Sequence, residues 1–303
     1  MKIAITGATG FIGKGLTGFL LGEGNSIVVL SRDPERARSL FDGEVSAFSW
    51  SFENKDKLVK ELEGVDAFVN LAGENVGSSL WTKNKKRKII ESRIRAGQLT
   101  TELICSMKRP PRVLIQASAV GYYGTRGEEV IAENSECGKG FLPEVTARWE
   151  YSTAIVESSG VRYVTIRSGL VLSKTGGAFP KLASPYNLHI GTMLGSGKQW
   201  VPWIHLEDEI RAIYFLIMSG GSNGIYNLVA PSPARMSEVC EQLGTTIFKM
   251  PDGLMKLIMG QMAEETILTS QRVVPERILN EGFQFKFTNV KGAIADICGK
   301  RTG

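Results

Sequence analysis

The sequence is poor in the residues that metal centres and disulfide frameworks need. Only two of its 303 residues are histidine, His189 and His205, which argues against a His-based metal site. Four cysteines, Cys105, Cys137, Cys240 and Cys298, stand far apart with no C-x-x-C pair. That leaves neither a zinc signature nor a disulfide framework. No apolar run approaches the roughly twenty residues that span a bilayer, and no secretory leader precedes the first apolar run. The expectation is a cytoplasmic protein with no membrane segment and no metal. A strong charge bias is missing as well. Lys and Arg number 36 against 31 acids, net +5, which fits an anionic small ligand and does not imply nucleic acid. There is no internal repeat.

What the chain does have is an organised opening, Met1 to Arg38. The apolar run Ile3 to Ile5 ends in Gly7-Ala-Thr-Gly10-Phe-Ile-Gly13. Ile12, Leu16, Phe19 and Leu20 follow at helical spacing, and Ile27 to Leu30 reads as a second strand. Strand, glycine turn, helix and strand within about thirty residues form the context that a dinucleotide-binding fingerprint requires. Gly7 turns the chain out of the strand, Gly10 admits a pyrophosphate and Gly13 lets the helix pack on the sheet. The phosphate would sit on N–H groups at the helix N-terminus. The second strand ends Leu30-Ser31-Arg32 with no acid to hold a ribose 2′-hydroxyl, and Arg32 suits a 2′-phosphate. This points to NADP(H), with Arg36 as a second cation and Asp33 as the cap of the next helix.

Strand and helix signals then alternate through Leu172, predicting a Rossmann-type, doubly wound parallel sheet with helices on both faces. Helices are expected over 34–41, 54–63, 82–107 and 142–159. Strands are expected over 45–50, 65–71, 112–117 and 161–172. Residues 173–201 are rich in Gly, Pro and Ser and read as a functional loop or lid. A helix over 205–218 and a strand over 224–228 follow. The expected domains are 1–172 with 202–230 for the cofactor, and 173–201 with 231–303 as a smaller, mostly helical substrate side. Phe283 to Phe287 alternates as an edge strand or packing segment would. Lys83 to Lys88 is basic, but Ile89, Ile90 and Ile94 mark the apolar side of its helix, so it reads as a solvated face.

Asn70-Leu-Ala-Gly-Glu74 and Ser118-Ala-Val-Gly-Tyr-Tyr-Gly124 follow strands, where open α/β sheets bind ligands. With Thr6-Gly-Ala-Thr-Gly-Phe-Ile-Gly13 they resemble the extended, epimerase/dehydratase side of the short-chain dehydrogenase/reductase superfamily. The whole pattern adds Arg87-Lys88, Ser92-Arg93, Arg148-Trp-Glu150, Arg167-Ser-Gly-Leu-Val-Leu172, Gly195-Ser-Gly-Lys-Gln199, Trp203-Ile-His205, Asp208 and Ser270-Gln-Arg-Val-Val-Pro275. It is similar to one atypical branch, the 39U-type epimerase family, along essentially the entire chain. The resemblance implies the fold and NADP(H) binding but no particular substrate. The expected cofactor-binding set is Gly7, Thr9, Gly10, Phe11, Ile12, Gly13, Ser31, Arg32, Leu71, Ala72, Gly73, Glu74 and Arg167. Ser118 matches the superfamily's substrate-binding Ser/Thr, and Tyr123, with Tyr122 beside it, matches a site-lining tyrosine.

One element of the resemblance is missing. The superfamily's base is the Tyr of Y-x-x-x-K, whose Lys lowers the phenol pKa. Here Thr146 and Glu150 stand at those positions. Thr146 cannot titrate, and Glu150 has the wrong charge to help the cofactor bind. The branch usually has Cys where Thr146 stands, so no cysteine nucleophile is available there. Tyr123 or Tyr122 is left as the acid/base, with Glu74 behind it and His205 in a packing role. Two readings follow: an NADP(H)-dependent oxidoreductase or epimerase, or an NADP(H) sensor that has lost the chemistry. An RNA-binding role for Lys83 to Lys88 is a third and weaker one. The superfamily's helix-mediated dimers leave a homodimer open.

Overall fold

Ile3 and Ile5 face one side of a strand and Ala4 the other, yet all three are fully buried. Burial on both faces is the mark of an interior strand in a parallel sheet. In the computed structural model, which describes residues 1–180, 190–243 and 246–299, β1 (Lys2–Thr6) lies between β2 (Ser26–Ser31) and β4 (Ala67–Asn70). β3 (Ser46–Ser49) closes one edge. On the other side β4 pairs with β5 (Val113–Ala119), then come the strands Arg162–Ser168 and Gly224–Leu228. All six pairings of this seven-stranded sheet are parallel.

The two faces are covered by different helices. Ile3, Ile5 and Val29 pack with Leu16 and Leu20 of α1 (Phe11–Gly22) and with Ile213 and Leu216 of the helix Leu206–Met218. Ala4, Val28 and Phe68 pack with Leu58 and Leu62 of α3 (Lys55–Leu62) and Leu99 and Leu103 of α4 (Lys83–Ser106). The short α2 (Pro34–Leu40) begins as expected, with Asp33 accepting from the Arg36 amide. α5 (Phe141–Ala154) crosses α4 closely: a Cβ on Gly97 would lie 1.8 Å from Ser152 Oγ.

The expected strand over 161–172 breaks at Gly169, where a Cβ would lie 2.6 Å from the Pro202 carbonyl. Leu170–Leu172 leaves the main sheet and pairs with Trp203–His205. The stretch after it is more ordered than a plain loop. Ile190–Leu194 pairs in parallel with Thr246–Met250, and Trp200–Val201 pairs with Ala234–Arg235. Gly176 and Gly177 lie against the Phe11 ring. Part of the expected lid, with His189, lies outside the described residues. Phe283 and Phe287 are buried packing residues, and 283–287 forms no strand.

The C-terminal helices return to the end of the sheet that carries β5. Gln271 Nε2 donates to the carbonyls of Val120 and Gly124. Glu265 accepts the amides of Phe141 and Leu142 and so caps α5. Among the described residues, no helix is long and apolar enough to cross a membrane.

The fold makes a paired prediction about α1. A Cβ on Gly13 would meet the Gly7 carbonyl at 2.2 Å, whereas one on Gly18 meets nothing within 4 Å. In urea titrations, Gly13→Ala is expected to lose about 1–3 kcal/mol through overpacking. Gly18→Ala is expected to gain up to about 1 kcal/mol from helix propensity.

Candidate functional site

The glycine turn has the geometry its sequence implies. Gly7 adopts φ +70°, and a Cβ there would lie 2.7 Å from the Leu71 carbonyl. The Gly10 amide closes the turn onto the Gly7 carbonyl at 2.9 Å. Gly10 then begins α1 with no side chain capping it, which leaves first-turn amides available to an anion. Arg32 is exposed and, among the described residues, makes no hydrogen bond or ion pair.

Asn70 ties the three central strand ends together. It accepts from Thr6 Oγ1 at 2.6 Å and donates to Gln116 Oε1 at 2.8 Å, all three side chains fully buried. This chain fixes Leu71, Ala72 and Gly73 beside the glycine turn. Glu74 follows, pinned on three sides: its amide donates to Ser92 Oγ, its carbonyl accepts from Arg93, and its carboxylate accepts from Lys85 Nζ at 2.6 Å. Lys85 is only 8% exposed, so the reading of Lys83 to Lys88 as a uniformly solvated face is corrected at this position. A buried ammonium needs a carboxylate partner, and Glu74 supplies it from across the loop. The Lys85 hydrogen bond leads the causes that hold the Glu74 carboxyl below its usual range, with smaller contributions from the charges of Arg32 and Lys88. Arg93 stacks on Trp149 at 4.7 Å, and burial pushes its guanidinium down to about 10.

Ser118, at the end of β5, donates to Glu150 Oε1 at 2.6 Å. Arg167 Nε and Nη2 hold the two Glu150 oxygens at 2.9 Å each. The third arm, Nη1, donates to the Tyr123 hydroxyl, which in turn donates to Asn227 Oδ1 at 2.7 Å. The Arg167 guanidinium also lies 3.4 Å from the centre of the Tyr122 ring. Arg167 is 1% exposed and Glu150 15%. All three nitrogens of Arg167 are engaged within this cluster, by Glu150 and the Tyr123 hydroxyl.

The charge of Glu150, taken alone as unfavourable, is neutralised by this fork. Tyr123 is 0% exposed, and burial pushes its phenol up to about 12. An acid/base role near neutral pH does not fit that environment. Tyr122 is partly exposed, with the Cys137 thiol beside its hydroxyl. Thr146 turns back onto the carbonyls of Leu142 and Pro143. His205 caps the helix Leu206–Met218 and stacks on Phe287 at 4.0 Å. Asn227, Cys137 and Lys85 were not foreseen as neighbours of these groups, because no local motif marks them. Among the described residues, no group of three or more His, Cys, Asp or Glu side chains could hold a metal ion. An open recess of about 960 Å³ lined by Asp56, Lys60, Glu63 and Arg109 lies at the opposite, amino ends of the strands.

Residues 3–228 match the model of the NAD dependent epimerase/dehydratase family. The chain belongs to that family. Residues 250–297 match a domain of unknown function, DUF1731. The chain is 37% identical to the chloroplastic "Epimerase family protein SDR39U1 homolog" of Arabidopsis thaliana, covering 98% of this chain and 86% of that one. It is 33% identical to "Epimerase family protein YfhF" of Bacillus subtilis, covering 99% of each. The crystal structure of human epimerase family protein SDR39U1 with NADPH superposes with a TM-score of 0.89 at 28% identity, covering 99% of both chains.

Two predictions follow. Removing one partner of the Arg167–Glu150 pair strands a buried charge, so Arg167→Met should lower unfolding free energy by about 3–5 kcal/mol. Arg167→Met with Glu150→Leu should recover part of that loss in a double-mutant cycle. On the other face of the sheet, Ser168 Oγ donates to Glu209 Oε1 at 2.5 Å, and burial pushes the Glu209 carboxyl from 4.5 up to about 8. The folded state then binds a proton that the unfolded state has released, so stability should fall as pH rises from about 4.5 to about 8. The slope from this group is at most about 1.4 kcal/mol per pH unit. Thermal unfolding across that range should show the decline in the wild type and a flatter curve in Glu209→Gln.

Proposed function

We propose that this chain binds NADP(H) and exchanges hydride between it and an unidentified carbonyl or nucleotide-sugar-like substrate whose reacting oxygen lies at Ser118. The observation that carries the reading is the glycine cradle. Gly7 and Gly13 have no room for a Cβ, α1 begins uncapped, and Arg32 stands exposed at the end of the adjacent strand. The NADPH held by the human relative supports the same reading.

In this proposal the first-turn amides of α1 take the pyrophosphate, and the Arg32 fork takes the 2′-phosphate. Leu71, Ala72 and Gly73 line the adenosine side. The bound cofactor supplies the hydride chemistry. The chain's own residues orient it, and Ser118 fixes the substrate oxygen. Residues 1–172 with 202–230 form the cofactor side, and 173–201 with 231–303 form the substrate side.

A specific observation favours a second reading. Tyr-x-x-x-Lys is absent, and Tyr123 is enclosed with its phenol pushed up to about 12. A protein that binds NADP(H) as a sensor, without turnover, would need neither group.

The test is thermal unfolding with NADPH, NADP, NADH and NAD in turn. Ligand at a hundredfold excess over its dissociation constant adds about 2.7 kcal/mol, a shift of several degrees. The phosphorylated pair is expected to raise the midpoint in the wild type and far less in Arg32→Ala. Equal shifts with NADH would reject the role given to Arg32, and no shift with any nucleotide would reject the cofactor reading. Shifts without oxidation of NADPH by a broad carbonyl panel, or reduction of NADP by the matching alcohols, would favour the sensor.

A further inference from the structure

We propose that the site is built to receive a hydroxyl group, and that Glu150, acting through Ser118, takes up that hydroxyl's proton; this rests on the oxidoreductase reading above. Ser118 directs its hydrogen at Glu150 Oε1, 2.6 Å away. An ionised carboxylate only accepts hydrogen bonds, so the proton in this bond belongs to Ser118. Ser118, 5% exposed, therefore keeps its lone pairs for a substrate. A carbonyl oxygen would meet them with lone pairs of its own, whereas an alcohol can donate into them.

Glu150 is not free to turn away. Arg167 grips both of its oxygens, and Arg167 is itself held by the Tyr123 hydroxyl and the Tyr122 ring. The charged and titratable groups around Glu150 come from three elements. Arg167 and Tyr163 lie on the strand Arg162–Ser168, with the Tyr163 hydroxyl on the Glu150 carbonyl. Tyr122 and Tyr123 lie on the turn after β5, and the charge of Glu150 reaches Cys137 in the loop before α5. Burial raises the Tyr123 and Tyr163 phenols and the Cys137 thiol, so none of the three competes as a base. Thr146, one turn earlier on α5, is bonded to carbonyls of its own helix. Glu150 thus replaces a titrating phenol with a carboxylate one hydroxyl removed from the substrate.

The step balances as an alcohol oxidation. The alcohol carbon gives up its hydrogen with the bonding electron pair to oxidised NADP. The alcohol proton passes to Ser118 Oγ while the Ser118 proton crosses to Glu150. The products are a ketone, NADPH and a protonated Glu150, which is 15% exposed and returns the proton to solvent. Carbonyl reduction runs the same path backwards and starts from protonated Glu150.

The experiment assays secondary alcohols with NADP, and the matching ketones with NADPH, from acid to alkaline pH. It compares the wild type with Glu150→Gln, Glu150→Asp, Ser118→Ala and the double variant Ser118→Ala/Glu150→Gln. Glu150→Gln is expected to lose about a hundredfold in kcat, with its acidic limb gone and cofactor affinity retained. Glu150→Asp should recover part of the rate, and the double variant should be no slower than the worse single one. A readout independent of turnover is the infrared carboxyl band that disappears in Glu150→Gln, which should shift in Ser118→Ala. Full kcat with an intact acidic limb in Glu150→Gln, additive losses in the double variant, or a band unmoved by Ser118→Ala would each overturn the relay. Cofactor binding without NADP reduction by any alcohol would overturn this proposal and leave the cofactor reading standing. Failure to bind any nucleotide would remove both.

Discussion

A single guanidinium holds the carboxyl end of the sheet together. Arg167 enters a space from which water is nearly excluded, and an unpaired charge there would be costly. The structure answers with a partner on each arm: two oxygens of Glu150 and the hydroxyl of Tyr123, with the Tyr122 ring beneath. Through these contacts one side chain joins the end of β5, the turn after it, α5 and, by way of Asn227, the edge strand. The bond from Ser118 to Glu150 depends on that fork. Without Arg167 the carboxylate would keep only the Ser118 bond to hold it at β5.

Much of this fold is legible in the sequence. The glycine turn is legible because its constraints are local: a positive φ at Gly7 and a close approach at Gly13 act within a dozen residues. Asp33 was recognisable as a cap for the same reason. Arg167 and Glu150 were not legible as a pair. They lie on a strand and a helix whose facing sides emerge only on packing, so Glu150 looked like a charge of the wrong sign. Lys85 shows the same limit. Helical periodicity assigned it to a polar face, but its partner Glu74 comes from a loop outside that periodicity. The break at Gly169 was hidden because Leu170 to Leu172 continues the apolar run and only changes its pairing partner.

Membership of the NAD dependent epimerase/dehydratase family explains the parallel sheet and the glycine turn, both of which lie within residues 3–228. The polar cluster at Ser118 shows how this chain fills the position of an absent phenol and lysine. It does so with an acid–arginine pair whose charges balance. Fold and chemistry are separable here. The scaffold that positions a cofactor would tolerate either solution at the end of β5.

The bond from Glu265 to the first amides of α5 has a consequence for the architecture as a whole. Helices ordinarily begin on a residue from their own stretch of chain; this one begins on a side chain more than a hundred residues downstream. The amino end of the helix that carries Glu150 therefore depends on the C-terminal segment for its cap. Until residue 265 has been synthesised, the first amides of α5 lack this partner. The terminal module, of unknown function in its own right, thus supplies the cap of the helix that carries Glu150.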